Sequence, residues 1–358
     1  MSPTAFGSLG PILRDIPMRT NQVTKSSSSA RSIRTSDWWR SAAMSIRTRP
    51  QDRLGLGFER ERAPERATNR SDDMGRLNGK VALVTGAARG QGRSHAVRMA
   101  EEGADIIALD ICQDIESNKY ALSRPSDLAE TAKLVEAFDR RIVTFQADVR
   151  EPREIRDAIA QGIAQLGQLD IVVANAGICP LGAGPVQAFA DVIDVNLNGV
   201  INTIHAALPH LRAGASIIAT GSVAAFLTGT TDNPASGPGG AGYSFAKRTV
   251  AAFINDLALA LAPYSIRANA VHPTNCNTPM LQSEPMYAIF RPDLEHPTRE
   301  DAEVAFPAMN SMPVGYVEPV DISNAIVYLA SDEARYVTGQ QLRIDAGAVI
   351  KARPFDKP

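Results

Sequence analysis

Tyr243 and Lys247 stand four residues apart in GYSFAKR, a spacing that places two side chains on one face of a helix, here at the helix start. An ammonium beside a phenol favours the phenolate and lowers a pKa that starts at about 10. Such a phenolate can take the proton of an alcohol, and the phenol can return it to a carbonyl. The pair recurs by chance, and alone it reads as structural. Ser222 changes its weight. It follows the apolar run SIIATG, where its hydroxyl could hold a substrate oxygen. Asn196, in DVNLNGV, could anchor a water that links Lys247 to solvent, or could bond nearby backbone from inside a helix.

Elements must hold these side chains together. Short apolar runs recur from Lys80 onward: VALVT (81–85), DIIALD (105–110), RIVTFQ (141–146), DIVVAN (170–175), SIIATG (216–221), IRANAVH (266–272) and QLRID (341–345). Continuous apolar runs suit strands buried on both faces of a parallel sheet. Helical stretches such as SHAVRMAEEG, REIRDAIAQGIAQLG and AKRTVAAFINDLALALAP lie between them. This alternation predicts an α/β fold: a Rossmann-type, doubly wound parallel sheet of seven strands in a single domain over residues 74–358. Ser222 then sits at the C-terminal end of its strand, where such folds place ligands.

Gly86, Gly90 and Gly92 follow the first strand and precede a helix. Glycine permits a tight turn and lets backbone approach a pyrophosphate, and the next helix aims its amides at that anion. The spacing is G-x-x-x-G-x-G rather than the usual G-x-G-x-x-G. Asp110 ends the second strand, where a carboxylate can accept both hydroxyls of an adenosine ribose and repel a 2′-phosphate. It favours NAD over NADP. Arg89 argues the other way, since a guanidinium could pair with that phosphate.

The 358 residues are 44% hydrophobic with a net charge of −2, enough for a proper core and no general attraction to nucleic acid. Cys112, Cys179 and Cys276 are far apart and form no C-x-x-C pair, so neither a metal site nor a disulfide framework is expected. A reduced, cytoplasmic setting is the default, and no apolar run reaches membrane-spanning length. His205 and His210 lie five apart on a helix and do not pair as ligands.

Residues 1–73 differ in kind. SSSSA, RSIRTSDWWR and FERERAPERATNR are rich in Arg and Ser and show no apolar period, so disorder is expected. The segment reads as a targeting peptide, as a basic tail, or as translated upstream sequence with the true start near Met74, six residues before Lys80.

TGAARGQG, the Asp110 strand end, ANAG at 174–177, the Asn196 segment, GSVAA and YSFAK occur in that order. Together they resemble the classical short-chain dehydrogenase/reductases over about residues 78–347. The resemblance implies a catalytic tetrad, here Asn196, Ser222, Tyr243 and Lys247, and a homotetramer. It implies that Asp148 and Val149 flank the adenine, that Asn175, Ala176 and Gly177 line the cofactor, and that Lys247 holds the nicotinamide ribose. With Gly86, Arg89, Gly90, Gln91, Gly92, Asp110, Ile111, Tyr243, Pro273, Asn275 and Thr278, these residues make the expected NAD site. Thr278 could bond the nicotinamide amide.

The chain departs from the common family pattern at HPTNCNTPM, where Thr274 takes a usual glycine position, and at two insertions: ICQDIESNKYALSRPSDLAE after the second strand and FLTGTTDNPASGPGGAG between Ser222 and Tyr243. TGAARGQGRSHAVRMAEEGADIIALDIC, FRPDLEHPTRED and HPTNCNTP are similar to the carveol-dehydrogenase-like, mycofactocin-coupled subgroup. That likeness implies a retained nicotinamide, reoxidised by a peptide-derived redox carrier. The insertion after the second strand could pack over the adenosine half and slow release, or could be a surface insertion with no kinetic role. Residues 279–313 carry Met280, Leu281, Met286, Tyr287, Ile289, Phe290, Phe306, Met309 and Met312, a lid suited to a compact hydrophobic alcohol or ketone, or to packing against a neighbouring subunit. The expected reaction is hydride transfer between such an alcohol and bound NAD. An NADPH-dependent ketone reductase with exchangeable cofactor and a non-catalytic dinucleotide sensor are the competing readings.

Overall fold

The computed structural model describes residues 75–227 and 234–351, so the expectations for residues 1–73 and part of the second insertion lie outside the described residues. Seven parallel strands form one sheet in the order β3-β2-β1-β4-β5-β6-β7. They are β1 (Val81–Thr85), β2 (Asp105–Asp110), β3 (Ile142–Gln146), β4 (Ile171–Ala174), β5 (Ser216–Thr220), β6 (Arg267–Pro273) and β7 (Gln341–Ile344). Each lies within one residue of the run read from the sequence. The order reverses between β1 and β4, and in open α/β sheets that crevice is where ligands bind.

Alternate residues of each strand point to opposite faces, and both faces are covered. Leu83, Ile107, Val172 and Ile217 pack on one side with α3 (Pro152–Leu166), α5 (Gly199–Ala207) and α6 (Gly237–Leu261). Val84, Ile106, Val173 and Ile218 pack on the other with α1 (Gly90–Glu101), α2 (Pro125–Glu136) and α9 (Pro319–Ala330). Three short helices complete the set among the described residues: α4 (Gln187–Ile193), α7 (Glu284–Phe290) and α8 (Arg299–Ala305).

Tyr243 and Lys247 are not at the start of their helix. α6 begins six residues before Tyr243, at Gly237, through the stretch GPGGAG. Helix propensity argues against that start, and packing explains it. A Cβ on Gly239 would lie 2.0 Å from the Pro180 carbonyl oxygen, and one on Gly242 would lie 3.1 Å from that of Phe189. These glycines let the helix run hard against the segment after β4.

The loop from β1 into α1 uses its glycines differently. Gly86 takes a left-handed φ of +67° and lies beside Ala176, where a Cβ would come within 2.9 Å of the Ala176 Cα. Gly92 needs no unusual φ, but a Cβ there would lie 1.9 Å from the Gly86 carbonyl oxygen. Gly92→Ala must therefore push the loop away from α1, at a cost on the order of 1–3 kcal/mol. The expected result is a thermal unfolding midpoint several degrees lower. An unchanged midpoint would mean the loop yields freely.

Candidate active site

Asn175 ties three strand ends together. Its Nδ2 donates to the Thr85 carbonyl at 3.0 Å, and its Oδ1 accepts from the Thr220 hydroxyl at 3.0 Å. The Thr85 hydroxyl in turn accepts the backbone N–H groups of Asn175 and Ala176. Around this knot lie two cavities that share a wall of Gln91, Asn175, Gly177, Thr278 and Met280.

The first cavity runs over the glycine loop to Asp110. Gly86, Arg89, Gly90, Gln91, Gly92, Asp110, Ile111, Asp148, Val149, Asn175, Ala176, Gly177 and Thr278 all line it. The buried Asp110 carboxylate accepts the N–H of Ala88 at 2.9 Å, that of Cys112 at 3.1 Å and the Ser123 hydroxyl. A carboxylate has about four acceptor positions, so one remains. Arg89 donates to the Ala121 carbonyl, which draws it into the insertion after β2. Asp148 holds Arg150 through two nitrogens at 2.8 and 2.6 Å.

That insertion lies across the cleft as a strap. Ser123 binds Asp110 at one end. Further along, the Ser117 hydroxyl donates to Asp191 at 2.6 Å, Lys119 donates to the Ala183 carbonyl, and the Tyr120 oxygen accepts the Cys179 N–H at 3.3 Å. Ile115, Tyr120 and Leu122 of the strap line the first cavity. The sequence placed a long loop here, but not these three side chains. Their only signal was the loop's length.

The second cavity holds Ser222, Tyr243 and Lys247, with Pro273 and Asn275 in its wall. Lys247 is buried and donates to the Thr220 carbonyl at 2.7 Å. Its Nζ lies 5.6 Å from the centre of the Tyr243 ring. Burial pulls the Lys247 pKa down to about 8. Burial also pushes the Tyr243 phenol upward, against the expected lowering, while a hydrogen bond from Ser222 favours the phenolate. Desolvation of a phenolate in this packed setting outweighs what Lys247 supplies across that distance. Cys179 lines the same cavity with its thiol pushed up to about 12 by burial, which leaves it neutral.

Asn196 does not reach either cavity. It lies in a π-helical turn, Asp194–Asn198, and is fully buried. Its Oδ1 accepts the Ile178 N–H at 2.8 Å and its Nδ2 donates to the Ile178 carbonyl at 2.9 Å. Both polar atoms of the side chain thus brace the segment after β4. A Cβ on Gly177 would come 3.4 Å from Asn196 Oδ1 and 3.8 Å from Lys247 Nζ, so the brace stands directly behind the lysine.

His272 sits in the apolar run of β6, and its side chain backs Ser222. The Gln341 Nε2 donates to Ala251 and Asn255, so its Oε1 faces His272 Nε2 at 2.7 Å. That nitrogen must carry the proton. Nδ1 is then free to accept the Ser222 N–H at 3.1 Å. A Cβ on Gly221 would lie 2.3 Å from this ring, which fixes the glycine before the serine. Burial lowers the His272 pKa and keeps it in this neutral form.

The lid divides. Met280, Leu281, Met286, Ile289, Phe290 and Met309 line the second cavity. Phe306 instead forms the buried centre of the lid's own small cluster with Tyr287, and Met312 is exposed. Neither Tyr287, Phe306 nor Met312 faces the cavity, because a lid needs a core of its own to keep its shape.

Among the described residues no group of three His, Cys, Asp or Glu side chains could hold a metal, and no helix is long and apolar enough to cross a membrane. A Rossmann sheet with serine, tyrosine and lysine on one cavity wall defines an oxidoreductase class of site. A family model described as enoyl-(acyl carrier protein) reductase matches residues 86–349. A (−)-trans-carveol dehydrogenase of Rhodococcus erythropolis is 45% identical, over 78% of this chain and 100% of that protein. The crystal structure of carveol dehydrogenase from Mycobacterium avium in complex with NAD is 47% identical, with a TM-score of 0.73 over 78% of this chain and 100% of that one. That of a short chain dehydrogenase from Mycobacterium paratuberculosis bound to NAD is 39% identical, with a TM-score of 0.68 over 77% and 100%. The chain belongs to the short-chain dehydrogenase/reductase family.

Lys247 makes the site's electrostatics measurable. Its folded pKa of about 8 lies below its ordinary 10.5, so between them the unfolded chain holds a proton that the folded chain has lost. Stability linked to this group therefore rises with pH through that window. Compared with Lys247→Met by denaturant unfolding, the native protein should gain stability from pH 8 to pH 10.5. A difference that stays flat with pH would mean the buried lysine keeps its ordinary pKa.

Proposed function

We propose that this protein oxidises compact, hydrophobic secondary alcohols to ketones with NAD that it retains between turnovers. A mycofactocin-type carrier then removes the electrons. The observation that carries the reading is the second cavity. Ser222, Tyr243 and Lys247 stand on one wall, Leu181, Leu227, Leu281, Ile289 and Phe290 line much of the rest, and among the described residues Lys247 is the only charged one around it. An apolar wall with few polar groups selects an uncharged ligand and orients it by those groups.

The glycine cradle and the Asp110 carboxylate fit a dinucleotide. The loop amides and the N-terminus of α1 suit a pyrophosphate, and Asp110 has one acceptor position left for a ribose hydroxyl. Asp110 would repel a 2′-phosphate, and Arg89 is engaged by Ala121, which together support NAD. The solved relatives with NAD support the same choice.

A bound nicotinamide supplies the hydride acceptor and, when oxidised, a positive charge. Ser222 holds the alcohol oxygen. Tyr243 takes the hydroxyl proton as its phenolate, which needs help against burial. Lys247 gives that help from the protein side while Ser222 holds the alcohol oxygen. Asn196 and His272 act behind these groups as positioning residues, one on the segment after β4 and one on the serine backbone.

The strap supports retention. It is pinned to Asp110 on one side and to Asp191, Ala183 and Cys179 on the other, so it crosses the opening of the first cavity. Phe245 and Leu259 are exposed on α6, 50% and 79%, and support assembly with further copies of the chain as a homotetramer.

The test begins with purified protein, denatured and assayed for released NAD(H), and with labelled NAD offered to the native form. Near-stoichiometric nucleotide that exchanges slowly is the expected result, with alcohol oxidation read through a dye acceptor. A site empty of nucleotide would overturn the retained-cofactor reading. Tyr243→Phe should lower turnover by about 10²–10⁴-fold with nucleotide content unchanged. Turnover near the native rate would remove Tyr243 from the proton transfer, and no alcohol oxidation by the native protein would point to a binding protein instead. Replacing residues 113–121 with a short turn should accelerate exchange, and an unchanged exchange rate would remove the strap from the account.

A further inference from the structure

Gln91 is the second residue of α1, and its side chain stands in the wall between the two cavities. Its Oε1 is buried and has no hydrogen-bond partner among the described residues. Native proteins seldom leave a buried amide oxygen without a donor. An acceptor cannot be satisfied by the phosphate oxygens that the glycine loop suits, because those are acceptors too. With the amide oriented as it is, what faces its oxygen must donate.

On the reading of the site given above, the half of the dinucleotide that passes this wall carries two kinds of donor. The ribose hydroxyls belong with Tyr243 and Lys247. The carboxamide N–H groups remain. Thr278 stands on the same wall, and its methyl group lies 3.4 Å from where a Cβ on Gly90, the neighbour of Gln91, would be. The Thr278 hydroxyl donates to the Cys276 carbonyl at 3.2 Å, which leaves its oxygen free to accept. One wall thus presents two acceptors, and a carboxamide nitrogen carries two hydrogens.

We propose that Gln91 Oε1 accepts one carboxamide N–H of the nicotinamide while Thr278 accepts the other. Gln91 is then a cofactor-recognition residue that reads the amide itself rather than the phosphates.

The test uses 3-acetylpyridine adenine dinucleotide, in which a methyl group replaces the carboxamide nitrogen. The protein is incubated with an equal mixture of NAD and this analogue until its bound content is constant, or refolded in the mixture where exchange is slow. The bound nucleotides are then released and separated by chromatography. Native protein should prefer NAD, and Gln91→Met should reduce that preference roughly tenfold, the worth of one buried hydrogen bond. Differences in ring chemistry cancel in the comparison of the two proteins. An equal preference in native and Gln91→Met protein overturns the proposal, and Gln91→Leu serves where the first variant does not fold. Equal uptake of both nucleotides by the native protein overturns it without any variant. Uptake of neither nucleotide would remove the dinucleotide reading itself, a distinct outcome.

Discussion

The site depends on the meeting of three strand ends at Asn175. β1, β4 and β5 are neighbours at the point where strand order reverses, and their C-terminal backbone groups have no further ladder to join. Asn175 satisfies Thr85 on one side and Thr220 on the other with one amide. Thr220 then has its carbonyl free for Lys247. The glycine loop, the wall between the two cavities and Lys247 are thereby fixed relative to one another by three short contacts. A change in any of the three strand ends would reach all of them.

Burial sets the chemistry around this knot more than charge pairing does. Lys247 is pulled down to about 8, and buried His95, on α1, to about 3, in both cases chiefly by loss of solvent. Tyr243 moves up for the same reason. The result is a cavity wall on which a Lys247 ammonium, still mostly protonated at pH 7, stands beside a neutral phenol. The neutral His272 fits this pattern, since its accepting nitrogen is what holds the Ser222 N–H.

Strand positions were legible because a strand buried on both faces has to be apolar throughout, and runs such as VALVT and SIIATG are. That Gly86, Gly90, Gly92 and Asp110 come together at one cavity was legible because a strand–glycine turn–helix unit brings the turn beside the end of the next strand. Tyr243 and Lys247 were legible through helical spacing, although the glycines before them concealed where the helix starts. The aim of Asn196 was not legible. An asparagine in a helix has many partners open to it, and only the fold brings Ile178 within reach. His272 was hidden for a similar reason, since its partners lie 50 and 69 residues away in sequence. The division of the lid between cavity and core depends on the path of α7 and α8, which hydrophobic composition alone does not determine.

The strap has a consequence for the order of events as the chain folds. Its roots are at β2 and its far anchors, Cys179, Ala183 and Asp191, follow β4, so the hoop closes only after both strands are in the sheet. On the proposed function, a nucleotide captured before closure would become, in effect, part of the core, and its departure would require the hoop to open, a local unfolding event with its own free energy. The lifetime of the bound nucleotide would follow the stability of a dozen residues of backbone, and amide hydrogen exchange in the strap would report it directly.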